Sequence, residues 1–287
     1  MFNKQHIVRT IAATASILAL SFTAACGSGQ STASNSADSN DITQQTYKPG
    51  KLTIATGQPA YEPWVMNDKP ESGEGYEAAV AYAVADKLGF KKSDVVWTRT
   101  AFDTAIAPGA KDWDFNIQQF GITDERKKAV DFSSSYYNDS QSVVVKKDSK
   151  FANVTKVSDL KNATVGVMVG TLAYDYAKAN IKDDIQTFND DAALAQALDA
   201  GQIDALVTST VECVYMVQSE QVKDAKVLGR LPDSEDKSGM GIVLPKDSKL
   251  TAAVTKAVDD LNADGTIKKL QDKWLAEYTT DLTELKK

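Results

Sequence analysis

Residues Thr164-Val165-Gly166-Val167-Met168-Val169-Gly170-Thr171 carry a short valine-rich run into the start of a helical pattern. Thr164 to Met168 suits a strand, and Gly170-Thr171 suits the turn and cap that open the helix Thr171 to Asn180. Ile185 to Phe188 is again strand-like. Asp191 to Ala200 then predicts a helix, Ala205 to Thr208 a strand and Val211 to Glu220 a helix. Alternation of this kind builds an α/β layer with mostly parallel strands.

The same alternation extends outward on both sides. Upstream, Leu52 to Thr56 predicts a strand. Tyr76, Ala79, Val80, Ala83, Val84 and Leu88 recur at three and four, an amphipathic helix closed by Gly89. Val95 to Thr98, Asp114 to Gln118 and Ser142 to Lys146 predict further strands, and Phe102 to Ala107 a short helix stopped by Pro108-Gly109. Downstream, a strand lies around Ile242-Val243-Leu244. Leu250, Val254, Ala257, Val258 and Leu261 mark one helix, and Ile267, Leu270, Trp274, Leu275 and Tyr278 another. The two runs share a pattern without a sequence repeat, which predicts two α/β lobes with a cleft between them.

The chain has 287 residues and a formal net charge of −7, which speaks against a nucleic-acid partner. No internal run is long enough for a spanning helix. Met1 to Ala25 reads as a secretory signal: Lys4 and Arg9, the apolar stretch Ile11 to Phe22, then Thr23-Ala24-Ala25 before Cys26. Residues 26–49 are mostly polar and predict a flexible tether, with the folded body starting near Lys51. Loss of the signal removes His6, the only histidine. That excludes a His-dependent triad, a Cys–His pair and a His-ligated metal site in the mature chain, so neither metal nor cofactor is expected. Cys213 reads as a small buried apolar residue.

Gly121-Ile122-Thr123-Asp124-Glu125-Arg126-Lys127-Lys128-Ala129-Val130-Asp131-Phe132-Ser133, followed by Tyr136-Tyr137, resembles the signature of the polar amino-acid-binding proteins of ABC importers, solute-binding protein family 3. This is the family of the glutamine- and histidine-binding periplasmic proteins. Tyr61-Glu62-Pro63-Trp64, Gly75-Tyr76-Glu77, Val165 to Thr171, Ala200 to Ala205, Ala263 to Ile267 and Lys273-Trp274 match further family segments in order, over about residues 51–277. The N-terminus resembles a bacterial lipoprotein signal, in which Cys26 is acylated. It departs from that pattern at Thr23, where leucine is usual.

The resemblance implies a two-lobed, type II periplasmic-binding-protein-like fold with a two-stranded hinge. Lobe one would be residues 50–138 and 237–287, lobe two residues 139–236, and the crossings would lie near Asn138 to Gln141 and Asp233 to Ser238. It implies a monomeric extracytoplasmic receptor, lipid-anchored to the cell membrane, that hands an amino acid or related small carboxylate to an ABC permease and its ATPase.

The implied site has Arg126 paired with the ligand α-carboxylate, a task that suits the planar fork of a guanidinium. Gly121 and Thr123 lie beside it, and Gly170-Thr171-Leu172 offers helix-opening amides from lobe two. Tyr61 and Phe102 pack against the ligand, and Gln119 and its neighbour Gln118 supply neutral acceptors. Two positions depart from the family. Ser209 stands where members usually place the aspartate for the ligand ammonium, and Gly57 stands where many have an early aspartate. Glu212 is a candidate substitute for that charge. A second class, resembling cyclohexadienyl dehydratases on the same fold, would need Glu212 as a buried general acid. A third would be a surface adhesin or sensor using the fold without transport.

Overall fold

The computed structural model describes residues 41–279 and 282–287. The expected signal 1–25, the lipidation site Cys26 and the tether up to residue 40 lie outside them. In chain order the elements are β1 (Leu52–Thr56), α1 (Tyr76–Lys87), β2 (Val95–Arg99), α2 (Phe102–Ile106), β3 (Phe115–Asn116) and β4 (Val130–Tyr137). There follow β5 (Gln141–Lys146), β6 (Val165–Met168), α3 (Leu172–Asn180), β7 (Gln186–Phe188), α4 (Asp191–Asp199), β8 (Ala205–Ser209), α5 (Thr210–Gln218) and β9 (Ala225–Arg230). The last are β10 (Met240–Pro245), α6 (Thr251–Ala263) and α7 (Thr266–Trp274).

The strands form two sheets of matching topology, β2-β1-β3-β10-β4 and β7-β6-β8-β5-β9. The sheets are mixed rather than mostly parallel. β1 pairs in parallel with β2 and β3, and β6 with β7 and β8, whereas β10 and β5 run antiparallel to both of their neighbours. β10 and β5 are the strands that enter a sheet from the hinge, so they run against strands that end there.

The chain crosses between the sheets from β4 to β5 and again from β9 to β10. These crossings are stitched together: Asn138 Nδ2 donates to Asp236 O at 2.9 Å, Asp236 N to Asp139 O at 2.9 Å, and Gln141 N to Ser234 Oγ at 2.9 Å.

Period-two alternation divides the core of the second lobe. Val143, Val145 and Val207 face one cluster with α3, while Val144 and Leu206 face another with α4 and α5. In the first lobe α1, α6 and α7 cover the sheet through Val80, Val84, Val254, Leu261 and Ile267.

Several expectations need correction. The folded body begins before Lys51: Thr46 is buried, and Tyr47 N donates to Asp114 Oδ1 at 2.6 Å. β4 and β9 are not legible as strands in the sequence, since the serines of β4 and Lys226, Gly229 and Arg230 of β9 break the apolar alternation. The end of the chain does not stay with lobe one. Glu284 bridges to Arg230 and Lys286 to Lys156, and Leu285 joins the core of the second lobe. Burial of one leucine and a short stretch of backbone pairing hold this tail.

Candidate functional site

The parallel strands β1, β3, β6, β7 and β8 all end toward the space between the lobes, and ligand sites of open α/β sheets lie beyond such carboxyl ends. A cavity of about 90 Å³ occupies that place. Arg126, Tyr61, Phe102, Gln119, Gly121, Thr171, Leu172 and Ser209 line it. Thr123 does not. Its hydroxyl accepts from Arg126 N at 3.1 Å and fixes the turn that carries the arginine.

Arg126 reaches both lobes. Nη1 donates to Gly121 O at 2.7 Å and Nη2 to Gly170 O at 2.8 Å. Its guanidinium carbon lies 5.4 Å from the centre of the Phe102 ring, which stacks at 4.7 Å on Phe120. Phe102 is thus an aromatic shelf for the arginine as well as part of the wall. Burial lowers the guanidinium pKa, opposed by Asp175 and Asp236, without threatening its charge.

Gly121 faces the ends of two side chains, Leu172 and Asp236. A Cβ there would lie 2.5 Å from Leu172 Cδ1 and 2.9 Å from Asp236 Oδ2. At Gly57 a Cβ would meet Pro59 O at 2.6 Å.

Thr171 caps α3: Oγ1 accepts from Tyr174 N at 3.1 Å and donates to Met168 O at 2.8 Å. Leu172 and Ala173 open the helix, so their N–H groups have no intrahelical acceptor and face an anion favourably. Ser209 caps α5, accepting from Glu212 N at 3.3 Å. Tyr61 spans the lobes, its hydroxyl accepting from Ala192 N at 3.4 Å near the start of α4. Gln119 commits its donors to the wall, because both its N and its Nε2 donate to Glu77.

Apart from Glu212, the acids of the wall are what the sequence does not reveal. Glu77, Asp139, Asp191, Glu212 and Asp236 all line the cavity. Glu77 is fully buried and held by Gln119 and the Tyr136 hydroxyl, and burial raises its pKa to about 7. Asp139 accepts from Ser140 N at 2.8 Å and Val211 N at 3.3 Å, tying the hinge to α5, and burial raises its pKa to about 6. Asp236 Oδ1 accepts from Ser238 N and Gly239 N, each at 3.1 Å. Asp191 Oδ1 accepts from the Thr208 hydroxyl at 3.3 Å. Glu212 Oε2 accepts from Trp64 Nε1 of the other lobe at 3.3 Å. Burial raises both Asp191 and Glu212; the like charge of Asp191 raises Glu212 further, and that of Asp190 raises Asp191. The position of Asp191 just after β7 is the one signal that could have revealed it.

The model of the bacterial extracellular solute-binding proteins, family 3, matches residues 52–277. The chain is 29% identical over 245 residues to the L-arginine-binding protein of Pseudomonas aeruginosa, covering 80% of this chain and 88% of that one. It is 29% identical over 223 residues to the L-cystine-binding protein TcyJ of Escherichia coli K12, covering 77% and 81%. An ancestral arginine-binding protein bound to arginine superposes with a TM-score of 0.67 at 31% identity, over 78% of this chain and 98% of the other. All three are binding proteins by name.

Proposed function

Because the chain belongs to the bacterial extracellular solute-binding proteins, family 3, we propose that it is the extracytoplasmic receptor of an ABC importer for an amino acid. The observation that carries this reading is Arg126, which lies on the same cavity as the opening amides of α3 from the facing lobe. A ligand carboxylate between them engages a guanidinium on one side and a helix N-terminus on the other. Tyr61, Phe102, Gly121 and Ser209 complete the wall, Gln119 acts through Glu77, and Thr123 positions Arg126.

Ligand capture closes residues 50–138 and 237–279 onto residues 139–236, with 282–287 riding on the second lobe. The closed protein presents its ligand to a permease and ATPase pair. It is monomeric and held to the membrane by acyl chains on Cys26, an anchor supported by the signal-like N-terminus and the polar stretch behind it.

A thermal-shift screen of amino acids against the mature protein tests the function, because a ligand bound only by the native state raises its stability. Stabilisation by one or a few amino acids is the expected result. A flat response across all of them at millimolar concentration would overturn the reading.

A further inference from the structure

We infer that the cavity takes an amino acid of net positive charge, with Asp191 and Glu212 as the groups that select for its cationic centres. The inference rests on the amino-acid reading above and names the ligand class within it.

Most acids of the wall are already committed to the fold. Glu77 spends both oxygens on Gln119 and Tyr136. Asp139 caps α5 from the hinge. Asp236 is held by the amides of Ser238 and Gly239 and lies within the field of Arg126. Asp191 and Glu212 are different. Neither forms a salt bridge among the described residues, and the carboxylates acting on Arg126 are Asp175 and Asp236. Glu212 is only 3% exposed, yet its Oε1 has no hydrogen-bond partner in the chain. The charged groups around it, from α4, the hinge and α1, are Asp191, Asp139 and Glu77, all acidic. Its one donor is the Trp64 indole.

A buried carboxyl without a partner is costly, and a second one beside it makes the cost larger. A ligand that brings cationic N–H groups to this place removes both penalties. One carboxylate suffices for an α-ammonium. The wall offers a pair while supplying a single guanidinium for the ligand's own carboxylate. The balance therefore calls for a second cationic centre on the ligand.

Calorimetric titration of the mature protein with L-arginine, L-lysine, L-ornithine, L-citrulline, L-glutamine, L-glutamate and L-cystine tests this. Citrulline has almost the shape of arginine and lacks its side-chain charge. At least one of the three cationic amino acids should bind on the order of 30-fold or more tighter than every uncharged or acidic member of the panel. Glu212→Gln and Asp191→Asn should each weaken that ligand by about tenfold or more. Glu212→Gln should also raise the melting temperature of the ligand-free protein, a pairing of effects that a purely structural role would not give. Citrulline, glutamine, glutamate or cystine binding within threefold of the best cationic ligand would overturn the charge inference and leave the receptor standing. So would Glu212→Gln and Asp191→Asn variants that bind at wild-type affinity. No binding by any amino acid would overturn the receptor reading and this inference with it.

Discussion

Arg126 of the first lobe donates to the carbonyl oxygen of Gly170 in the second at 2.8 Å. One side chain thus bridges the two lobes on the wall of the cavity. Its shelf, Phe102, and its turn, tied by Thr123 to the arginine amide, both belong to the first lobe. The second lobe contributes a carbonyl at the turn before α3.

Replacement of this arginine separates binding from folding. Arg126→Ala should cost on the order of 2–5 kcal/mol of ligand affinity by calorimetry, since it leaves a desolvated carboxylate without its partner. Arg126→Lys should also bind poorly, because an ammonium cannot reproduce the fork. The melting temperature of the ligand-free protein should move little, as the side chain serves the cavity rather than an apolar core. Wild-type affinity in Arg126→Ala would remove the residue from the site.

Gly121 and Leu172 set how closely the lobes approach. Gly121→Val crowds Leu172 Cδ1 and Asp236 Oδ2, so these side chains must swing aside for the lobes to meet as they do. Small-angle scattering should show compaction of the wild type on ligand addition and little or none in Gly121→Val, with affinity down by about tenfold or more. Leu172→Ala in the Gly121→Val background should restore part of both. Equal compaction in Gly121→Val and wild type would show that this contact does not limit closure.

How much of this is legible in the sequence follows from where each constraint lies. Strand and helix signals between residues 52 and 274 are local, so the alternation and most boundaries can be read from apolar spacing. Arg126, Thr171 and Ser209 are reached through the resemblance of their segments to the family, since taken alone each reads as an ordinary turn or cap residue. Asp191 is not reached in this way, since Asp190-Asp191 reads as an ordinary helix start, and Asp190 indeed caps α4 through Ala193 N at 2.8 Å. Asp139 and Asp236 read as polar hinge residues, and Glu77 as one more position on an amphipathic helix. Their burial comes from tertiary packing, which apolar periodicity does not encode. The tail 282–287 reads as part of lobe one because it follows α7, and only its pairing with Arg230 and Lys156 moves it.

The buried acids give the ligand-free protein an unusual pH response. The pKa of Glu77 rises from 4.5 to about 7 and that of Asp139 from 3.8 to about 6 on folding. Between the unfolded and folded values the native state holds protons that the unfolded chain has released, so stability falls as pH rises. The melting temperature should therefore decrease from about pH 4 to pH 7, a tenfold gain in proton affinity on folding being worth about 1.4 kcal/mol. Glu77→Gln should flatten the upper part of the slope. A melting temperature that climbs steadily through this window would contradict a desolvation penalty on the charged forms of these carboxyls.

Glu212 is also the buried acid that a dehydratase on this fold would need, so absence of turnover is a sharp expectation. Mature protein incubated with prephenate and with arogenate should produce no phenylpyruvate or phenylalanine above a protein-free control. Production abolished by Glu212→Gln would reverse the assignment.

The anchor is tested apart from the site. Cys26→Ser should abolish incorporation of a fatty-acid analogue in cells and release the protein from the membrane fraction. It should leave ligand affinity unchanged, because the described body begins at residue 41 and contains the whole cavity wall. A protein starting at Asp41 should fold and bind like the mature form. One starting at Lys51 loses Thr46, which is buried, and the amide of Tyr47 that satisfies Asp114. Losing that donor leaves a buried carboxyl short of a partner, with a cost on the order of 1–3 kcal/mol. Thermal melts of the two truncations should therefore differ, with the shorter form the less stable. Equal melts would mean that the segment 41–50 contributes nothing to the fold, and an unlabelled wild-type protein would remove the lipid anchor.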